Sequence, residues 1–284
     1  MTFVSPWLLG FLAFMAYPIG ASLYYSFTEY DILTSPRVVG LANYYAMLFK
    51  DEFLPKAIYN TAYFVLFGVP AGLVTAFLLA ALLNTNLRAR SVFRTVFYIP
   101  TVVPTVASAM VWLWIFNGQF GVINSLLISL GRQSIPFLSS QGLVKPSLII
   151  IHCWASGTTM LIFLAALQDV PRSLYEAAGV DGANATQRFF RITVPMCTPA
   201  ILFNLLTGMI GAFQYFTFAW ILTAGGPNRA SEFFALYLYR QAFVYLRMGY
   251  GSALAWLLLL IVVLLTLALF RSSARWVYYA GQSG

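Results

Sequence analysis

The sequence predicts an all-α integral membrane protein with six transmembrane helices, and three observations carry that expectation. Of 284 residues, 61% are hydrophobic and only 8% are charged, against roughly 25% charged in a soluble domain; the mean hydropathy is +0.80. Six apolar segments, 8–27, 58–83, 96–116, 148–166, 200–223 and 251–270, are each about long enough to cross the hydrocarbon core as a helix. Their apolar runs are continuous, whereas a transmembrane barrel alternates polarity residue by residue. An ordinary soluble enzyme and a barrel are both excluded.

Segment 8–27 has no basic residue before it and exceeds the h-region of a secretory signal, so it reads as a retained span. Pro18, Pro70, Pro100 and Pro104 fall within the first three segments. Proline removes a backbone donor and crowds the preceding turn, and a membrane helix tolerates it where neighbours or cavity water satisfy the freed carbonyl. A kink, a span boundary and, for Pro100 and Pro104, a gating hinge all fit. Between the fifth and sixth segments, Gly225-Gly226-Pro227 is a strong turn signal.

The net charge is +8, yet the basic residues are scattered between the apolar segments, where they anchor a membrane protein rather than bind nucleic acid. With both termini inside, the inner and outer loops hold equal numbers of Lys and Arg. The inner loops are shorter, and Arg88, Arg90 and Arg94 crowd one of them, so the balance tips to cytoplasmic termini. Cys153 and Cys197 have no metal-like or disulfide spacing.

Segment 167–199 is too polar to span and too patterned for a simple connector. Asp169 and Pro171 suit the first turn of a short helix, and Leu174, Ala177 and Ala178 give it a small apolar face. Gly182 ends it. Asn184 with Gln187 forms a capping-box pattern for a second helix, running through Phe189, Phe190 and Ile192 towards Pro195. A protruding helix–turn–helix of this kind fits either partner docking or an amphipathic surface element.

Here the chain resembles a known family. Glu176-Ala177-Ala178, Gly182 beyond three residues, and Ile192, Val194 and Pro195 beyond nine more resemble the EAA loop, about 168–198, of permease subunits in binding-protein-dependent ABC importers. Val194 stands where leucine is usual. Val39-Gly40-Leu41 with Asn43-Tyr44, Asn60-Thr61, the stretch 90–95 leading to Pro100, then Trp112, Gly121, Asn124 and 223–227 also resemble that family. The chain is similar to the carbohydrate-uptake branch, in particular the larger maltose permease and the first glycerol-3-phosphate permease, in a compact six-span form.

The resemblance implies the type I ABC importer permease fold as a single transmembrane domain over 1–284, in a prokaryotic cytoplasmic membrane. It implies a chain forming half of the translocation pathway for a sugar, oligosaccharide or polyol derivative. Its partners would be a second, different permease, two cytoplasmic ATPase subunits carrying ATP and Mg, and an extracytoplasmic solute-binding protein. Glu176 would be the acidic contact to the ATPase, with Ala177, Ala178, Gly182, Ile192 and Pro195 completing the coupling element. Without that motif, Glu176 would be an exposed carboxylate of little consequence. The outer loop at 225–227 would reach towards the solute-binding protein.

For the substrate path, sugars need aromatic faces and hydrogen-bonding groups. Trp154 and Thr158, sharing a helix face at i, i+4, and Asn204, Gln214 and Tyr215 offer them. Helix–helix hydrogen bonding is the alternative for each, and His152 fits a structural role better. The chain holds no G-x-x-x-x-G-K-[ST] motif and no Ser/His/Asp set, so it is expected to be non-catalytic and to bind no cofactor itself. The competing reading, a self-contained secondary transporter, needs intramembrane acids and inverted repeats. All eight acids lie outside or at the ends of the expected spans.

Overall fold

The computed structural model describes residues 4–85 and 88–278; the two ends of the expected 1–284 domain and part of the 85–96 loop lie outside these. The first span is α1 (Ser5–Ser26). A short antiparallel pair follows, β1 (Thr28–Glu29) and β2 (Arg37–Val38), with Thr28 opposite Val38 and Glu29 opposite Arg37. Next come α2 (Ala42–Phe49) and the long α3 (Leu54–Leu83). The middle of the chain forms α4 (Arg90–Val102), α5 (Thr105–Ile115), α6 (Val122–Ser129), α7 (Val144–Trp154) and α8 (Gly157–Gln168). The remainder forms α9 (Arg172–Val180), α10 (Ala185–Met196), α11 (Thr198–Phe213), α12 (Thr217–Thr223), α13 (Phe234–Tyr239) and α14 (Met248–Ser273).

Among the described residues, α1, α3 and α14 are long and apolar enough to span a membrane unbroken, and three bent pairs raise the number to as many as six if each pair is one span. The prolines act in two ways. In α1, α3 and α10 a single π-turn (Leu12–Ala16, Phe64–Gly68, Phe189–Thr193) lies just before Pro18, Pro70 and Pro195 respectively. The wider turn absorbs the missing N–H without ending the helix. At Pro104 the outcome differs.

Segment 96–116 is therefore not one straight helix: α4 and α5 meet at 100°. The residue before a proline is pushed out of the α region, and Val103 and Pro104 are both extended, with ψ of 131° and 135°. The fourth expected span is likewise bent by 50° between α7 and α8, and α10 meets α11 at 62°. The fifth expected span, 200–223, is interrupted between α11 and α12 at residues 214–216.

The central helix is α3, which packs along α7, α8 and α11, while α14 covers α1 and α2. Small residues of α3 permit this closeness: Ala76 and Ala80 are fully buried beside Met160, Phe163, Leu167 and Cys197. Leu83 at the end of α3 shares that cluster with Val170 and Ile192. The α9–α10 hairpin thus sits at this end of the bundle, and Leu54 marks the other.

At that other end, residues 230–242 of segment 224–250, expected to be an outer loop, pack into the bundle. Phe233 and Leu236 are buried with Phe64, Trp112 and Ile151. Irregular backbone inside a bundle must have its polar groups satisfied, and α3 supplies partners. Asn60 Nδ2 donates to the carbonyls of Arg229 and Glu232 at 2.8 and 3.1 Å, and Thr61 Oγ1 accepts the Phe234 N–H at 2.8 Å. Glu232, 1% exposed, pairs with Arg229 at 2.8 Å and Arg240 at 2.5 Å. An acid that lies between spans in sequence is buried in space.

Candidate functional site

Two places stand out: a protruding hairpin and a cavity where the broken helices meet. In the hairpin, no residue of α9 is buried; Leu174, Glu176 and Ala177 are exposed, and Val180 is 90% exposed. Pro171 caps α9 from just outside rather than occupying its first turn. The helix ends in a Schellman arrangement: the Ala183 N–H donates to the Ala178 carbonyl at 2.8 Å and the Gly182 N–H to that of Gly179 at 3.1 Å. This requires a left-handed residue at position 182, where φ is +75°, and glycine takes it without a β-carbon penalty. The spacing from Ala178 to Gly182 is the spacing of that cap.

The second helix starts as the capping-box pattern predicts. Gln187 N–H donates to Asn184 Oδ1, and Asn184 N–H to Gln187 Oε1, both at 2.9 Å. The Tyr175 hydroxyl and Thr193 Oγ1, 2.9 Å apart, tie the two helices together. Ile192 and Pro195 are half-buried at the base, where α10 runs on into α11. So Glu176, Ala177, Ala178 and Gly182 lie in the exposed part of a rigid hairpin, and Ile192 and Pro195 connect it to the membrane helices.

A cavity of about 200 Å³ lies at the bends, lined by Pro100, Thr101, Val103, Thr105, Ser108, Trp154, Ala155, Thr158 and Phe218. Trp154 and Thr158 do not share one regular helix face, because the α7–α8 break falls between them, yet both line this cavity. Gly157 allows the crossing: a β-carbon there would sit 2.6 Å from the Phe97 carbonyl oxygen. Ser108 is 3% exposed, and its Oγ has no partner among the described residues; neither does Trp112 Nε1. The Trp112 ring meets that of Trp154 edge-on, 5.5 Å between centroids.

The other expected path residues are placed elsewhere. Asn204 is buried and donates to the Ala200 carbonyl of its own helix at 2.9 Å. Gln214 is exposed at the α11–α12 interruption. Tyr215 packs against Phe64 and Phe233 at 4.4 and 5.2 Å. His152 lies edge-on to Phe64 at 5.3 Å, a packing role. Sequence reasoning missed Thr101, Thr105, Ser108 and Phe218; the available signal was hydroxyl residues three and four apart around Pro104.

A family model described as binding-protein-dependent transport system inner membrane component matches residues 68–277. Probable ABC transporter permease protein YesP of Bacillus subtilis is 45% identical over 281 residues, covering 98% of this chain and 91% of that protein. Sulfoquinovosyl glycerol transport system permease protein SmoG of Agrobacterium fabrum is 32% identical over 244 residues, covering 85% of this chain and 79% of that protein. Among solved structures, a chain of a bacterial alginate ABC transporter, crystallised in complex with an alginate pentasaccharide-bound periplasmic protein, superposes with a TM-score of 0.81. It is 23% identical, with 96% of this chain and 93% of that chain covered, a likeness of fold.

Proposed function

This chain belongs to the family of binding-protein-dependent transport system inner membrane components, the permease subunits of ABC importers, and from that premise we propose how it couples and what it carries. It is a multi-pass membrane permease with the type I importer fold and is not itself an enzyme. In the proposed assembly it pairs with a second, different permease to form the translocation pathway. Two cytoplasmic ATPase subunits, carrying ATP and Mg, dock on the α9–α10 hairpin, and a solute-binding protein docks at the opposite face. The hairpin and both termini are then cytoplasmic.

One observation carries the coupling: the hairpin's turn and caps are fully built, while the outer face of α9, with Glu176, is left bare. Rigid caps at both helix ends let a push on Glu176 reach α11 as movement of one body rather than as bending of a loop. For the solute we propose a saccharide or polyol derivative, in keeping with the name of the sulfoquinovosyl glycerol relative. Trp154 and Thr158 contact it in the central cavity and Gln214 at the α11–α12 interruption, while Asn204 and Tyr215 hold the walls.

The test is reconstitution with the ATPase subunits. Glu176→Lys should lose electrostatic fit, and Gly182→Pro cannot adopt φ of +75°. Each should reduce co-purification of the ATPase or abolish the stimulation of hydrolysis by loaded binding protein. Wild-type association together with wild-type uptake in both variants would overturn the assignment.

A further inference from the structure

At the end of the bundle opposite the hairpin lies a larger cavity of about 920 Å³, within the roughly 300–1,000 Å³ of small-molecule sites. Its walls come from five places: β1 with the β1–β2 connection, α2, the segment between α2 and α3, Arg229 between α12 and α13, and the α13–α14 region. These walls are braced from behind. Asp51 Oδ2 accepts the Tyr237 hydroxyl at 2.5 Å and that of Tyr250, and Oδ1 accepts the N–H groups of Phe53 and Leu54 at 2.9 Å. Asn43 Nδ2 donates to the carbonyls of Ser26 and Thr28, both at 2.9 Å.

Other lining groups are unspent. Gln241 is 6% exposed; its Nε2 donates to the Tyr237 hydroxyl at 2.7 Å, and its Oε1 has no partner among the described residues. Gln241 lines the cavity, and this acceptor lies shielded beneath the wall. Glu52, Tyr245 and Arg247 line the same space, are exposed, and make no side-chain hydrogen bond among the described residues.

We propose that this cavity is a second solute site, taking a saccharide as it enters from the face opposite the hairpin, separate from the central cavity. Acids (Glu29, Asp31, Asp51, Glu52) and bases (Lys50, Arg229, Arg247) both line it, which disfavours a simple anion or cation. Sugar hydroxyls are both donors and acceptors: they donate to Glu52 and receive from Arg247. The Tyr245 ring offers a face to the sugar's C–H surface. The inference rests on the saccharide reading of the transported solute.

The experiment uses the assembled permease–ATPase complex in nanodiscs without its solute-binding protein. Equilibrium dialysis with radiolabelled methyl glucoside, cellobiose, trigalacturonate and glycerol 3-phosphate reads binding, and uptake of the same compounds is measured in proteoliposomes with the binding protein added. At least one saccharide should bind saturably. Tyr245→Ala and Gln241→Leu should each weaken that binding by about tenfold, the effect of one lost contact. Absence of binding by every probe overturns the proposal, and so does binding that survives both variants. Co-purification of the solute-binding protein with each variant is measured alongside, and its loss with saccharide binding intact makes the cavity a protein-docking surface and overturns the proposal too. A probe that is imported but binds independently of Tyr245 and Gln241 removes the site and keeps the solute class. A saccharide that binds through Tyr245 when none is imported keeps the site and removes the class.

Discussion

Asp51 shows how one carboxylate can organise a membrane-protein surface. Burial, the largest single influence, pushes its pKa up, but the hydroxyls of Tyr237 and Tyr250 and the N–H groups of Leu54 and Phe53 together hold it below the usual 3.8. A group depressed in the folded state contributes stability that is complete above its unfolded pKa and is lost as pH falls through the lower folded value. Asp51→Asn should therefore lower stability at neutral pH by about 1–2 kcal/mol, allowing for solvent screening at a half-exposed site. It should also flatten the acid limb of the profile, and thermal unfolding of the purified permease between about pH 3 and about pH 7 checks both. Asn43, Asn60 and Asn124 stood out in the sequence only as family positions. Their work, pinning irregular backbone, was not legible, because the carbonyls they hold lie up to 172 residues away.

The elements divide by the range of the signal that makes them. The hairpin was readable: its cap residues Ala178, Gly182, Asn184 and Gln187 lie within ten positions and act on one another directly. The prolines were readable as disturbances but not in their outcome, since Pro18, Pro70 and Pro195 follow π-turns in continuing helices while Pro104 opens a 100° bend. Packing across that bend makes the difference: Gly157 lets α8 approach the α4 backbone. In Gly157→Ala the new methyl would stand 2.6 Å from the Phe97 carbonyl oxygen, so α4 and α8 must separate at a cost of about 1–3 kcal/mol. Uptake should fall while the ATPase still co-purifies, because the hairpin is untouched. Wild-type uptake by this variant would show that the crossing need not be tight.

For the whole molecule, the larger cavity lies at the end marked by Leu54 and the hairpin at the end marked by Leu83. In the proposed assembly the smaller cavity, at about 200 Å³, would be one wall's share of a path completed by a second permease. α1 carries no burial in its apolar window although it packs on α14, so most of its surface is left free for lipid or, in the proposed assembly, a partner. Trp154→Ala and Gln214→Ala should raise the apparent KM for uptake by about three- to tenfold, as expected for loss of a contact residue, with ATPase association unchanged. Transport kinetics in proteoliposomes decide this, and unchanged kinetics in both variants would remove them from the path.

The scarcity of charge, the six apolar segments and the capped hairpin were determined by the sequence itself, because each depends on composition or on residues a few positions apart. The tertiary structure alone decided where helices bend, that part of the expected outer loop 224–250 packs into the bundle, and that the expected path residues separate into cavity lining, packing and, for Gln214, an exposed helix interruption. Those outcomes depend on contacts between distant parts of the chain: Asn60 with Glu232, Gly157 with Phe97, Asp51 with Tyr250. Inside a bilayer a backbone group has no water to fall back on, so irregular segments go where another helix supplies the missing partner, and local sequence does not reveal which helix that is.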